Sequence, residues 1–156
     1  MSSLVNMLEV LSDEDIQWVL SVGVEKAVEQ KEIIIQAGDY IENLYIVLEG
    51  QLAVYITSAG DARVSTICPG EVMGEMSYLE YKPTSAYVIA ETDAVLLAIP
   101  RDMLDARVQE DPEFGKRLYR GIAISISNRL RMTLKRVDHM LKVLESAKAW
   151  TKDGPC

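Results

Sequence analysis

Apolar and polar positions change texture twice along the chain. The first stretch is brief. Ser12 followed by Asp13, Glu14 and Asp15 predicts a helix start, because a serine hydroxyl caps free backbone N–H groups and acids suit the positive end of a helix. Ile16, Val19 and Leu20 give this helix, expected over 12–22, one apolar face, and Gly23 is its expected stop. From Val24 to Pro100 short runs of Val, Ile, Leu and Tyr are broken by Gly38, Gly50, Gly60 and Gly70, a spacing of 10 to 12 residues. Many short strands at that spacing predict an all-β sandwich or barrel. Leu44 to Leu48, Leu52 to Ile56, Arg63 to Cys68, Tyr87 to Ala90 and Ala94 to Ile99 are the expected strands. Ala37-Gly38-Asp39, Glu49-Gly50, Ala59-Gly60-Asp61 and Pro69-Gly70 are the expected turns.

After Ile99 the pattern becomes helical through about residue 148. Arg101 to Glu110 reads as a short helix, and Asp111-Pro112 opens another with proline at its first position. Leu130, Leu134, Val137, Leu141 and Leu144 step by 4, 3, 4 and 3, a heptad seam over about two heptads. A helix of roughly 35 residues would run about 50 Å at 1.5 Å per residue. That exceeds the width of a small barrel, so part of it needs another partner, and a second copy of the chain is the simplest one. The alternative is one long helix packed wholly on its own barrel. Thr151 to Cys156 reads as a short polar tail.

Composition narrows the class. Of 156 residues 49% are apolar and 26% charged, which argues against disorder and fibrous repeats. No apolar run approaches the roughly 20 residues that span a bilayer, and Met1 to Leu11 does not read as a signal peptide. Cys68 and Cys156 are the only cysteines and His139 the only histidine, which excludes a disulfide scaffold and most metal centres. A cytoplasmic setting without membrane contact is the expectation. Charge is uneven. Residues 1 to 114 hold 6 Lys+Arg against 21 Asp+Glu, a formal −15, whereas residues 115 to 156 hold 10 against 3, a formal +7. The basic end is either a solvated helix near an acidic body or a surface for an anionic partner.

Candidate chemistry concentrates in Gly70 to Val88. Gly74 would let the backbone approach a ligand. Glu75 to Leu79 form one expected helical turn, and Thr84 and Ser85 add hydroxyl groups ahead of a strand. A carboxylate that accepts from hydroxyls, with a later hydroxyl pair, suits a small ligand of sugar and phosphate character; an ordinary turn is the alternative. Glu71 and Glu75 as a catalytic acid–base pair are a remote option, and a single histidine leaves a nucleophilic enzyme only one base, so no enzyme is expected. Cys68 reads as a buried inert thiol, His139 as an exposed helical residue, and the methionines as core filler.

Gly38-Asp39, Leu44-Tyr-Ile-Val-Leu-Glu-Gly50, Pro69-Gly70-Glu71, Gly74-Glu75-Met76 and Thr84-Ser85-Ala86 follow one another in an order that resembles the cyclic nucleotide-binding domain family, and within it the effector domain of catabolite activator-type regulators. The resemblance runs from about Leu11 to Leu144. It implies a mainly β fold with flanking helices: a double-stranded β-helix (jelly-roll) barrel plus a long C-terminal helix, forming one domain over residues 1–156, with the β-roll at 24–100, its cassette at 70–88 and the C-terminal helices at 101–148. It implies cyclic AMP or cyclic GMP as the ligand. Gly74 and Glu75 match the ribose-binding pair, with Met76 and Ser77 beside them; Ser85 matches a phosphate-contacting hydroxyl, and Thr133 the purine-contacting threonine.

Two departures qualify that implication. The family's phosphate-binding arginine is replaced by Thr84. Loss of a charge-assisted bidentate contact costs on the order of 2–5 kcal/mol, roughly 30- to several-thousand-fold in affinity. Lys82 is either a substitute charge or a solvated loop lysine, and Tyr78 is bulky enough to fill the pocket. The second departure is that about ten residues follow the long helix, too few for a recognition helix, so no sequence-specific DNA reading is expected of this chain alone. The expected function is a regulatory sensor that responds to a small anionic ligand by moving its long helix, read by a protein effector. The alternative is a degenerate domain that binds no ligand and serves dimerisation or protein interaction.

Overall fold

A computed structural model describes residues 7–56 and 63–152, with side chains through residue 148. Two short helices come first, α1 (Met7–Val10) and α2 (Asp13–Val22). Ser12 caps α2 as its residue type predicts: the Asp15 amide donates to Ser12 Oγ at 3.1 Å, and the Ser12 amide donates back to Asp15 Oδ2 at 3.0 Å. This reciprocal box satisfies two otherwise free donors. The expected apolar face of α2 needs one correction. Val19 is buried, but Leu20 lies in solvent. Trp18 packs inward instead, edge-on to Phe114 with ring centroids 5.3 Å apart.

Eight strands follow: β1 (Val24–Val28), β2 (Ile33–Ile35), β3 (Asn43–Glu49), β4 (Leu52–Tyr55), β5 (Arg63–Ile67), β6 (Val72–Met73), β7 (Tyr87–Ala90) and β8 (Ala94–Pro100). They form two four-stranded sheets, ordered β1-β8-β3-β6 and β2-β7-β4-β5, with every pairing antiparallel. The five strands expected from the sequence are present within a residue at each end. β1, β2 and β6 add to them. The two sheets make a β-roll that holds two apolar clusters, one around Leu44, Ile46 and Ile99, the other around Val47, Leu52 and Leu96.

Turn chemistry holds the strands in register. Gly50 has φ +85°, and a Cβ there would lie 2.4 Å from the Asp93 carbonyl oxygen. Only glycine meets both demands. Gly38 and Gly70 also take positive φ in expected turns, whereas Ala59-Gly60-Asp61 lies outside the described residues.

The chain closes with α4 (Arg101–Glu110) and α5 (Pro112–Lys152), after a short α3 (Glu75–Glu80) between β6 and β7. Phe114, Leu118 and Ile122 recur every four residues on α5, and all three are buried. Arg117 on the next face clasps Asp15 of α2 through Nε at 2.6 Å and Nη2 at 3.0 Å, a two-point ion pair. Ile126 and Arg129 are half-buried, and beyond them the helix face turns to solvent. Leu130, Leu134, Val137, Leu141 and Leu144 are 56%, 58%, 46%, 55% and 57% exposed. The reading in which the helix packs wholly on its own barrel is therefore excluded: 41 residues at 1.5 Å per residue carry it about 60 Å, past the β-roll.

Candidate functional site

β6 ends at Met73, and the chain must turn at once into α3. Gly74 makes that turn with φ +85°, and a Cβ there would come within 3.3 Å of the Asn43 carbonyl oxygen. The turn places Glu75 in the first turn of α3, almost fully buried. Ser77 Oγ donates to the Lys82 carbonyl at 2.9 Å, and Arg101 Nη1 donates to the Ser77 carbonyl at 3.2 Å. The first bond holds the segment after α3 folded back on it, and the second ties α3 to the start of α4. Thr84 ties that segment to the Gly38 turn: its amide donates to the Asp39 carbonyl at 2.9 Å, and its carbonyl accepts from the Gly38 amide at 2.8 Å.

Between α3, this segment and the sheet lies a cavity of about 230 Å³. Its floor is apolar, made by Ile35, Ile41, Val54, Ile67 and Val88. Its polar rim contains Gly74, Glu75, Ser77, Thr84 and Ser85, together with Met76, Glu80, Lys82, Pro83 and Ala86. A concave apolar floor with a few convergent polar groups is the ordinary form of a small-molecule site. Six of the seven residues singled out in the sequence thus meet at one cavity. Thr133 is the seventh and is not among the lining residues; it is exposed, and its hydroxyl donates to the Arg129 carbonyl of its own helix at 2.9 Å.

Several rim groups are committed elsewhere. Thr84 Oγ1 donates to the Gln36 carbonyl at 2.9 Å. Lys82 pairs with Glu80 at 2.9 Å, and its side chain is 73% exposed. Tyr78 does not fill the cavity. It turns toward the core, where its hydroxyl donates to Asp105 Oδ1 at 3.2 Å and the Arg101 guanidinium lies 5.3 Å from its ring. Burial pushes its phenol well above the usual range, with the neighbouring Tyr119 and Asp105 adding to that. Cys68 is partly rather than fully buried, and burial raises its thiol.

The functional residue that the sequence reading missed is Arg129. It lines the cavity, and its Nη1 forms an ion pair with Glu75 Oε1. It also acts on Glu71, whose carboxyl is pushed up by burial first, with Arg129 opposing and Glu75 reinforcing that rise. A signal for Arg129 existed. Phe114, Leu118, Ile122 and Ser125 form the buried stripe of α5, and one more step along it lands on Arg129. The charge masked it, because Arg129 is one of 10 Lys+Arg in the last 42 residues.

The site draws on the β-roll for its turn and floor and on α5 for Arg129. Among the described residues no helix is long and apolar enough to cross a membrane. Comparison with known proteins gives this architecture its relatives. The cAMP-dependent protein kinase regulatory subunit of Emericella nidulans is 33% identical over 118 residues, covering 69% of this chain and 28% of the relative. The chain therefore spans little more than a quarter of that protein. The crystal structure of Thermus thermophilus catabolite activator protein superposes with a TM-score of 0.63 at 27% identity, over 89% of this chain and 62% of that one. A cyclic nucleotide-binding domain from Methylobacillus flagellatus shares the fold with a TM-score of 0.75 at 21% identity, over 81% of this chain and 72% of that one. The family model described as cyclic nucleotide-binding domain matches residues 25–111. With that match over more than half of its length, the chain belongs to the cyclic nucleotide-binding domain family.

Proposed function

We propose that this chain is a regulatory sensor that binds a cyclic nucleotide, cyclic AMP or cyclic GMP, in the cavity beside α3 and transmits occupancy through α5. One observation carries the reading: Glu75 of α3 and Arg129 of α5 meet as an ion pair at the cavity, so a ligand seated there touches the β-roll and the long helix together. A ligand shifts a conformational equilibrium only by its differential affinity for the two states, and contact with both parts provides for such a difference. Binding is weak for its family, because Thr84 offers a hydroxyl already donated to Gln36 where a guanidinium would clasp phosphate. The chain acts as a homodimer through Leu130, Leu134, Val137, Leu141 and Leu144, whose exposed side chains repeat at coiled-coil spacing. Sequence-specific DNA reading and catalysis lie outside this proposal, and a protein effector reads the helix.

Calorimetric titration with cyclic AMP and cyclic GMP tests the reading, using wild type and Thr84→Arg at low and physiological salt. Saturable binding by wild type is expected at micromolar or weaker levels, with the variant tighter by roughly 30-fold or more. Absence of binding by both proteins up to millimolar ligand would refute it. That result would favour a non-binding dimerisation module, a reading supported by the commitment of Thr84 and Glu75 to partners within the chain.

A further inference from the structure

Two cations line the cavity, Lys82 and Arg129. The Lys82 ammonium is exposed and paired with Glu80. Arg129 is different. Its side chain is only 21% exposed. Glu75 occupies one corner of its guanidinium, Nη1, while Nε and Nη2 are buried and meet no acceptor. Buried donors without partners are uncommon and destabilising. These two N–H groups lie on one edge of the planar group and point in parallel, the fork that takes a carboxylate or phosphate at two points. Three turns earlier on the same helix, Arg117 uses that same edge to hold both oxygens of Asp15.

We propose that the unpartnered Nε–Nη2 edge of Arg129 is the anion-binding group of this cavity, standing in for the arginine absent at position 84. The inference rests on the cavity being a cyclic nucleotide site and assigns the group that receives the ligand's phosphate. Glu75 keeps its place on Nη1, where it orients the guanidinium and remains an acceptor for a ligand hydroxyl. The ligand's negative charge is then held by α5 itself, the helix that carries the exposed seam, and not by the segment before β7.

The test compares cyclic AMP with adenosine, which shares the base and ribose but lacks the charge. Dissociation constants are measured for wild type, Arg129→Lys, the double variant Glu75→Gln/Arg129→Gln and the control Arg131→Gln, an exposed position on the same helix. The double variant avoids a buried unpaired carboxylate, and circular dichroism checks that it folds. Wild type is expected to prefer cyclic AMP by roughly 30-fold or more, Arg129→Lys to keep part of that preference, and the double variant to lose it to within about threefold. Arg131→Gln keeps the full preference. A preference that survives in the folded double variant places the anion elsewhere and overturns the assignment while leaving the site intact. Equal affinity of wild type for both ligands also overturns it. Failure of wild type to bind either ligand overturns the cyclic nucleotide reading itself, and the assignment with it.

Discussion

The seam on α5 permits a worked prediction. Leu134 and Leu141 are 58% and 55% exposed, so about half of each side chain is left for a partner helix to cover. Full burial of a leucine is worth about 1.5–3 kcal/mol, and the remaining half about 1 kcal/mol. In a symmetric pair each substitution counts twice, because the same patch appears on both copies. Leu141→Ala is then expected to cost about 2 kcal/mol of dimer stability, roughly a 30-fold rise in dissociation constant. Leu134→Ala with Leu141→Ala should cost about 4 kcal/mol, approaching a 1000-fold rise. Val143 is the control: it is 54% exposed but lies off the seam, and Val143→Ala should leave the constant unchanged. Sedimentation velocity across a dilution series reads all four proteins. A wild type that is monomeric at every concentration, or a double variant that dissociates no more readily than Val143→Ala, would refute the reasoning.

Two further outcomes concern stability. Phe114 is fully buried at the root of α5 against Trp18, so Phe114→Ala should lower unfolding free energy by about 3–5 kcal/mol in a urea titration; a loss under about 1 kcal/mol would show that this contact does not anchor the helix. The Arg117 guanidinium, chiefly through its hydrogen bonds, holds the Asp15 carboxyl below its ordinary value of 3.8. A lowered value in the folded protein means that the ionised form stabilises the fold, fully at pH well above 3.8, and that this contribution disappears as pH falls through the folded value. Asp15→Asn should therefore lower the urea midpoint at pH 7, and its difference from wild type should shrink below about pH 4. An equal difference at both pH values would rule out the ion pair as its cause.

How far the chain could be read in advance depended on whether a position's environment left a periodic trace. β3 and β8 lie at the middle of their sheet and are buried, so Leu44 to Leu48 and Ala94 to Ile99 were plain as strands. β1 is an edge strand in which Val28 alone is buried, and β6 has two residues; neither has the alternation that marks a strand. The exposed seam was legible because it keeps a strict heptad. The cavity's glycine, carboxylate and hydroxyl groups were legible because Gly74 to Ser85 is contiguous. Arg129 lies 54 residues from Glu75, and only the tertiary fold brings the two together. Tyr78 shows the converse: its size suggested a plug, but its position on α3 turns it toward Asp105 and away from the cavity.

The anchoring of α5 at one end has a mechanical consequence. From Arg129, which is paired with Glu75, to Lys152 the helix runs 23 residues, about 35 Å of stiff rod. Such a rod is a lever with its fulcrum beside Arg129. A tilt of about 5° at the fulcrum would carry the far end through roughly 3 Å. That displacement is comparable to the depth of one side-chain layer, so under the proposed function a sub-ångström change at the cavity would be enlarged to a scale at which a second helix would have to repack.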